Sequence, residues 1–200
     1  MHCAEGKSEI YYQWKLIRML EFNFSPFPVL QTERLTLREI TRNDAEAFFA
    51  LRTHPDVTRY ADRFPPKSLE EIHSFLDKIF EAIAANQSIA WAISPKGSNE
   101  FIGTVNFHRT YPEHHRAEMG YQLFSAHWRK GIMSEAVRAA IGYGFKVMKL
   151  HTIEAQTNPN NEASIGLLKK CGFVQEAYFK ENFYFDGKFL DTPVFTLWNK

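Results

Sequence analysis

The chain has 200 residues, with 24 Lys and Arg against 23 Asp and Glu, a net charge of +1, and 44% hydrophobic residues. That is enough for one domain whose core needs neither disulfides nor metals, and the interspersed charges argue against a nucleic-acid backbone as the main partner. No apolar run approaches the roughly 20 residues of a membrane helix, and Cys3 and Cys171 stand at opposite ends without metal-ligand spacing, so a reduced, cytoplasmic setting is expected.

Residues 1–28 read as an N-terminal appendage to a single domain over 29–200. A short amphipathic helix is expected over residues 10–20. Lys15, Arg18 and Glu21 interrupt its apolar stretch, which argues against a signal peptide. Met19 is an alternative start, and Pro26 and Pro28 enforce an extended exit. From Leu35 the pattern is regular: Leu35, Leu37 and Ile40 suggest a strand. Thr41 or Asn43 then caps a helix with Ala45, Phe48, Phe49 and Leu51. Ser68 followed by Glu71 matches a capping box. The helix it opens places Ile72, Phe75, Leu76, Ile79 and Ile83 on one face.

Strands are expected over 88–94 and 101–108 around the polar turn of Gly97, forming an antiparallel hairpin. A third strand, over 116–124, puts Ala117, Met119, Tyr121 and Leu123 on one face and Glu118 on the other. The period then changes: Ile132, Met133, Ala136, Val137, Ala140, Ile141 and Phe145 mark a helix. A strand follows over 151–157 and a helix over 162–171, with Gly172 where a left-handed residue is wanted. Two last runs flank Asp186 and Gly187, a hairpin signal. A strand–helix–strand unit requires a parallel, right-handed crossover. The expected fold is α+β: a mixed, mostly antiparallel central sheet with helices on both faces.

The stretch after the third strand concentrates the chemistry. Arg129, Lys130 and Gly131 lead directly into a helix, where unpaired N–H groups and the helix dipole favour an anion such as a phosphate ester. The bland alternative is a turn with two solvated basic residues. Neither a Walker loop nor a dinucleotide glycine fingerprint is present.

Thr32-Glu-Arg-Leu-x-Leu-Arg38, Glu118-Met-Gly-Tyr-x-Leu123, Trp128-Arg-Lys-Gly-Ile-Met-Ser-Glu-Ala136, Asn161-Glu-Ala-Ser164, Lys170-Cys-Gly-Phe173 and Asp186-Gly-Lys-x-x-Asp191 follow one another over residues 30–198. In this order they resemble the GNAT superfamily of N-acetyltransferases, and more closely its branch of ribosomal-protein alanine and serine N-acetyltransferases. The superfamily loop Q/R-x-x-G-x-G/A is matched only at Gly131, with Trp128 and Met133 at its ends, and a position that often carries a general-acid Tyr is Leu168.

The resemblance implies a GNAT-like acyl-CoA N-acyltransferase fold, acetyl-CoA as acetyl donor, no metal, and a primary amine as acceptor. It assigns the coenzyme to backbone groups of Leu123 and Phe124, to the loop of Arg129, Lys130, Gly131, Ile132, Met133 and Ser134, and to Asn161, for which helix capping is the alternative. One strand-end amide would also polarise the thioester oxygen. Glu118 is the candidate base, against the alternative of a solvated strand carboxylate; His108, His114 and His115 are rivals, without zinc-site spacing. Ser164 is the candidate hydrogen-bond donor to the departing thiolate, against a helix-start cap.

The acceptor is expected to be a protein N-terminal α-amine. The alternatives are a polyamine, amino sugar or antibiotic, or an acyl-CoA-binding module without catalysis. Glu39, Asp44, Asp56 and Asp62 are candidates for an acidic acceptor groove, and the protein is expected as a monomer or homodimer with no nucleic-acid or membrane partner.

Overall fold

Leu30–Gln31 (β1), Leu35–Glu39 (β2), Ile89–Pro95 (β3), Gly103–Tyr111 (β4) and Arg116–Leu123 (β5) form a continuous antiparallel run in the computed structural model, which describes residues 19–200. Thr152–Gln156 (β6), Val174–Phe185 (β7) and Lys188–Trp198 (β8) complete one eight-stranded sheet in the order β1-β2-β3-β4-β5-β6-β8-β7. Of its seven strand pairings only β5 with β6 is parallel. The helices are Ala45–Thr53 (α1), Pro55–Thr58 (α2), Leu69–Ala84 (α3), Ile132–Lys146 (α4) and Glu162–Lys170 (α5). The helix expected over 10–20 lies, but for its last two positions, outside the described residues; Met19 and Leu20 are not helical.

β3 shows why helices cover both faces. Its residues from Ile89 to Ser94 are buried, but alternate ones enter different cores. Ile89, Trp91 and Ile93 join Val105, Phe107, Met119 and Leu123 against Ala136, Val137 and Ala140 of α4. Ala90 and Ala92 face the other way, toward Phe48 and Leu51 of α1 and Ile72 and Leu76 of α3. A central strand sandwiched in this manner reads as a continuous apolar run, and the alanines leave room for the aromatic helix face.

The local signals behave as their chemistry requires. Ser68 Oγ accepts from the Glu71 amide at 3.4 Å, while the Glu71 carboxylate reaches back to the Lys67 amide at 3.1 Å, one residue short of the expected reciprocal bond. Asp186 and Gly187 both take positive φ, 46° and 77°, between the paired residues Phe185 and Lys188, the geometry of a two-residue hairpin turn. Gly172 ends α5 at φ 93°. Residues 20–28 lie against the domain: Phe24 is buried, its amide donates to Asn86 Oδ1 at 2.8 Å, and Pro28 O accepts from Trp91 Nε1 at 2.7 Å.

The crossover β5–α4–β6 sets up the site. β5 pairs with β4 along its whole length, from Arg116 to Leu123, but with β6 only through Arg116, Ala117 and Glu118. Beyond Glu118 the two parallel strands part, leaving a wedge between residues 119–123 and the end of β6, which stays paired to β8 through Gln156.

Candidate active site

The β5 edge in the wedge carries backbone groups that β6 does not use. Phe124 N–H donates to Ile102 O at 3.0 Å, which makes Leu123 and Gly103 a non-hydrogen-bonded pair. The N–H and C=O of Tyr121 and Leu123 therefore point away from β4, into the wedge. Leu123 O is occupied by Trp128 Nε1 at 2.9 Å. Phe124 differs from the sequence expectation: its amide serves Ile102, and its carbonyl accepts from His127 N at 3.0 Å, so its backbone ends the strand. An extended arm laid along this edge would meet Tyr121 and the Leu123 N–H, in the manner of an added strand.

At the same end of the sheet, Gly131 is the N-cap of α4 with φ 76° and ψ 0°, and no side chain caps the helix. The first backward bond runs from Glu135 N to Gly131 O at 3.1 Å, so the amides of Ile132, Met133 and Ser134 have no helical carbonyl to reach. With Arg129 and Lys130 just before them, they form a turn able to accept an anion. Glu135, in that first turn, is drawn aside. Thr32 Oγ1 donates to Oε1 at 2.6 Å, the Arg34 amide to Oε1 at 2.9 Å, and Arg34 Nε to Oε2 at 2.7 Å. Arg34 Nη1 also donates to Lys130 O at 3.0 Å. Burial works against the Glu135 charge, but the bonds from Thr32 and Arg34 outweigh it and hold the carboxyl below its ordinary range.

Glu118 sits where the strands part. The register Ala92–Thr104–Gln122 puts Gln122, Gly120 and Glu118 on the sheet face covered by α1 and α3. It is 7% exposed, which removes the reading of a solvated strand carboxylate. A β-bulge in β4 places both His108 and Arg109 opposite it: Phe107 pairs with Met119 and Arg109 with Glu118, leaving His108 as the extra residue. His108 Nε2 is 3.2 Å from Oε1, and Arg109 Nη1 donates to Oε2 at 3.4 Å. Burial again opposes the charge, and His108 and Arg109 more than offset it, so the Glu118 carboxyl lies below its ordinary range. Of the rival histidines, His108 is the one beside Glu118; His114 is 3.9 Å from Glu113, and His115 occupies the same turn.

On the opposite face, Ser164 Oγ and Tyr121 OH are 2.8 Å apart. Burial pushes the Tyr121 phenol up to about 12, so it stays protonated and remains a donor. Asn161 Oδ1 accepts from Ser164 N at 3.0 Å, so Asn161, not Ser164, caps α5. The cap reading of Ser164 falls. That of Asn161 holds, with its Nδ2 left over. Leu168, at the position that often carries a tyrosine in the superfamily, is wholly buried, and the phenol beside Ser164 comes from β5 instead.

Of the four acids expected to line an acceptor groove, Asp44, Asp56 and Asp62 are engaged elsewhere, and Glu39 has no side-chain partner among the described residues. Asp44 is gripped by both Nη atoms of Arg38 at 2.7 and 2.8 Å, Asp62 accepts from Asn158 Nδ2, and Asp56 lies 3.9 Å from both Arg59 and His54. Among the described residues no group of three His, Cys, Asp or Glu side chains is arranged to hold a metal, and no helix is long and apolar enough to cross a membrane.

A strand edge opened by a wedge, an uncapped helix start beside it, and polar groups on both faces suit an acyl-CoA and a nucleophile approaching from opposite sides. Residues 34–174 match the acetyltransferase (GNAT) domain. The chain belongs to the GNAT family. It is 38% identical over 171 residues to the uncharacterized N-acetyltransferase YoaA of Bacillus subtilis, covering 86% of this chain and 97% of that one. A GNAT-family acetyltransferase from Bacillus anthracis superposes with a TM-score of 0.76 at 29% identity, covering 86% of this chain and 98% of the other. More distant relatives divide by acceptor. One is a ribosomal protein uS5 alanine N-acetyltransferase of Escherichia coli, 27% identical, covering 81% of this chain and 86% of its own. Another is a spermidine N(1)-acetyltransferase of Vibrio cholerae, 25% identical, covering 79% and 89%. This GNAT protein is an acetyl-CoA-dependent N-acetyltransferase; its relatives leave the class of amine open.

Proposed function

We propose that this enzyme acetylates the free α-amine of a polypeptide. The observation that carries the reading is the state of Glu118. Its carboxylate is buried, stays ionised, and already faces two basic groups, His108 and Arg109. A carboxylate so stabilised is a weak proton acceptor. It suits an amine that needs little help. An α-amine, with a pKa near 8, is already about a tenth neutral near pH 7, whereas an alkyl amine near 10.4 is almost wholly protonated.

The roles follow from the two faces. The amine enters from the α1/α3 side, and Glu118 orients it and receives its proton, directly or through one water. The amides of Ile132, Met133 and Ser134, with Arg129, Lys130 and Gly131, hold the pyrophosphate. Tyr121 and Leu123 align the pantetheine arm, with Asn161 Nδ2 beside it, and the Leu123 N–H lies nearest the thioester oxygen. As the N–C bond forms and the C–S bond breaks, the sulfur gains negative charge. Ser164 donates a hydrogen bond to it, and Tyr121 OH, kept protonated, donates in turn to Ser164 Oγ, while the amine proton leaves through Glu118 to solvent.

Coenzyme A release followed with a thiol-reactive dye tests the acceptor. Peptides with free Ser, Ala, Thr or Met N-termini are expected to support release, and the same peptides with blocked N-termini are not. Release only with polyamines, amino sugars or aminoglycosides would replace this reading with a small-molecule one. Acetyl-CoA binding without turnover on any amine would leave a binding module.

A further inference from the structure

Residues 54–64 bridge the mouth of the wedge. His54 packs its ring on Phe124, just past the end of β5, with centroids 6.3 Å apart. Both oxygens of Asp62 accept from Asn158 Nδ2 at 3.0 Å, in the loop that leads from β6 to Asn161 and Ser164. Phe64 lies 4.9 Å from Phe185 at the tip of the β7–β8 hairpin. The segment thus joins the two strands that part, on the side of α1 and α3, where Glu118 also faces.

Among the described residues, two guanidinium groups in this layer lack an anion. Arg52, at the end of α1, lies over the Phe75 ring at 4.3 Å and near that of Phe48 at 5.8 Å. Nε and Nη2 of Arg63 are shut off from solvent and have no hydrogen-bond partner. Neither arginine has a carboxylate within ion-pair distance among the described residues, and the nearest acid in sequence, Asp62, is held by Asn158. Burial lowers both pKa values, that of Arg52 to about 10, and the Arg63 charge adds to the effect on Arg52. Arginine nevertheless stays charged near neutrality. Two cations in one layer, partly desolvated and without a carboxylate among the described residues, are an unfavourable arrangement on their own. It becomes favourable with a carboxylate, which supplies the missing negative charge and would reach Arg63 through Nη1, the guanidinium nitrogen not shut off from solvent.

We propose that Arg52 and Arg63 form the anion-binding half of the acceptor site and select an amine accompanied by a carboxylate, in a polypeptide through an acidic side chain among its first residues. This rests on the reading of a polypeptide α-amine. The same pair disfavours a polyamine, whose every other charged group is positive.

The test uses matched peptides, Ser-Glu-Ala-Leu and Ser-Gln-Ala-Leu with amidated C-termini, together with free glutamate and spermidine. Coenzyme A release is measured with the full-length enzyme and with Arg63→Gln, Arg63→Lys and Arg52→Gln. The acidic peptide is expected to exceed the neutral one about ten-fold in kcat/KM. The ratio should fall toward one in Arg63→Gln and in Arg52→Gln, and stay largely in Arg63→Lys, with acetyl-CoA affinity by calorimetry unchanged as evidence of folding. Equal rates on the two peptides in the unmodified enzyme, or a preference that survives both glutamine variants, would overturn the proposal. Turnover on spermidine alone would overturn it together with the peptide reading. Turnover on glutamate but on neither peptide, lost in Arg63→Gln, would uphold carboxylate selection while removing the polypeptide. Should Arg63→Gln fail to bind acetyl-CoA, the wild-type ratio and Arg52→Gln decide.

Discussion

Arg34 and Glu135 lie 101 positions apart in the chain and meet at 2.6 Å across the start of α4, with Arg34 also holding Lys130 O. The turn proposed to offer its amides to the coenzyme is therefore fastened to the residue just before β2. It also has its one first-turn carboxylate neutralised. Arg34→Ala releases Glu135 beside the pyrophosphate position and frees the loop. Acetyl-CoA Kd is expected to rise about ten-fold, because hydrogen bonds to charged groups contribute about 1.5–3 kcal/mol each and this pair is partly exposed. Calorimetric affinity equal to that of the unmodified enzyme would separate this bracket from cofactor binding.

The amides themselves are tested by placing charge among them. Met133→Glu sets a carboxylate at the second position of α4, where it suits the helix dipole but opposes an incoming pyrophosphate. Melting temperature is expected to change little, the dipole gain offsetting the packing that Met133 loses against the core, while acetyl-CoA affinity falls. Both staying constant would move the pyrophosphate away from this turn.

Most of the scaffold was legible in the sequence because its signals are local. The period change after Phe124, Gly131 before α4, Asn161 before α5 and the Asp186-Gly187 turn each act within a few residues, and each stands where expected. The partnerships that make the site are not local. Tyr121 and Ser164 are 43 positions apart, and Arg34 and Glu135 more than twice as far. Alternation gave the face of Tyr121 but not its partner. The pairing of Glu118 with both His108 and Arg109 depends on a bulge, and no single residue type announces that His108 is the extra one. Nor did composition near α1 distinguish acids that are already engaged from the two arginines that are not.

Ser164 and Tyr121 form one unit, and their substitution should behave as such. Ser164→Ala removes the donor to sulfur, and turnover is expected to fall ten-fold or more at nearly constant acetyl-CoA affinity. Tyr121→Phe keeps the ring in the core but removes the phenol, and should cost a comparable factor. In the double variant the losses should not multiply, since either change interrupts the same chain. Fully multiplicative losses would assign the two hydroxyls to separate tasks, and unchanged turnover in Ser164→Ala would remove Ser164 from the mechanism.

The last prediction separates the base from the amine by pH. With its pKa held below the ordinary 4.5, Glu118 is ionised across the neutral range, so it cannot produce a rise in kcat/KM above about pH 6. That rise must come from the acceptor, and for an α-amine it should level off near pH 8. Glu118→Gln is expected to lower kcat/KM about a hundred-fold and keep the same rising limb. A limb that disappears with Glu118 would show instead that the carboxylate titrates there. The folding linkage gives an independent check. Because the folded pKa is depressed, the stabilisation from Glu118 is fully present above about 4.5 and is lost as the pH falls through its lower folded value. Urea unfolding should therefore show the unmodified protein more stable than Glu118→Gln by about 1 kcal/mol near pH 7, with the gap closing in acid. A gap that widens in acid would mean that burial, and not His108 and Arg109, governs the carboxyl, and with it that Glu118 is a stronger base than its neighbours allow.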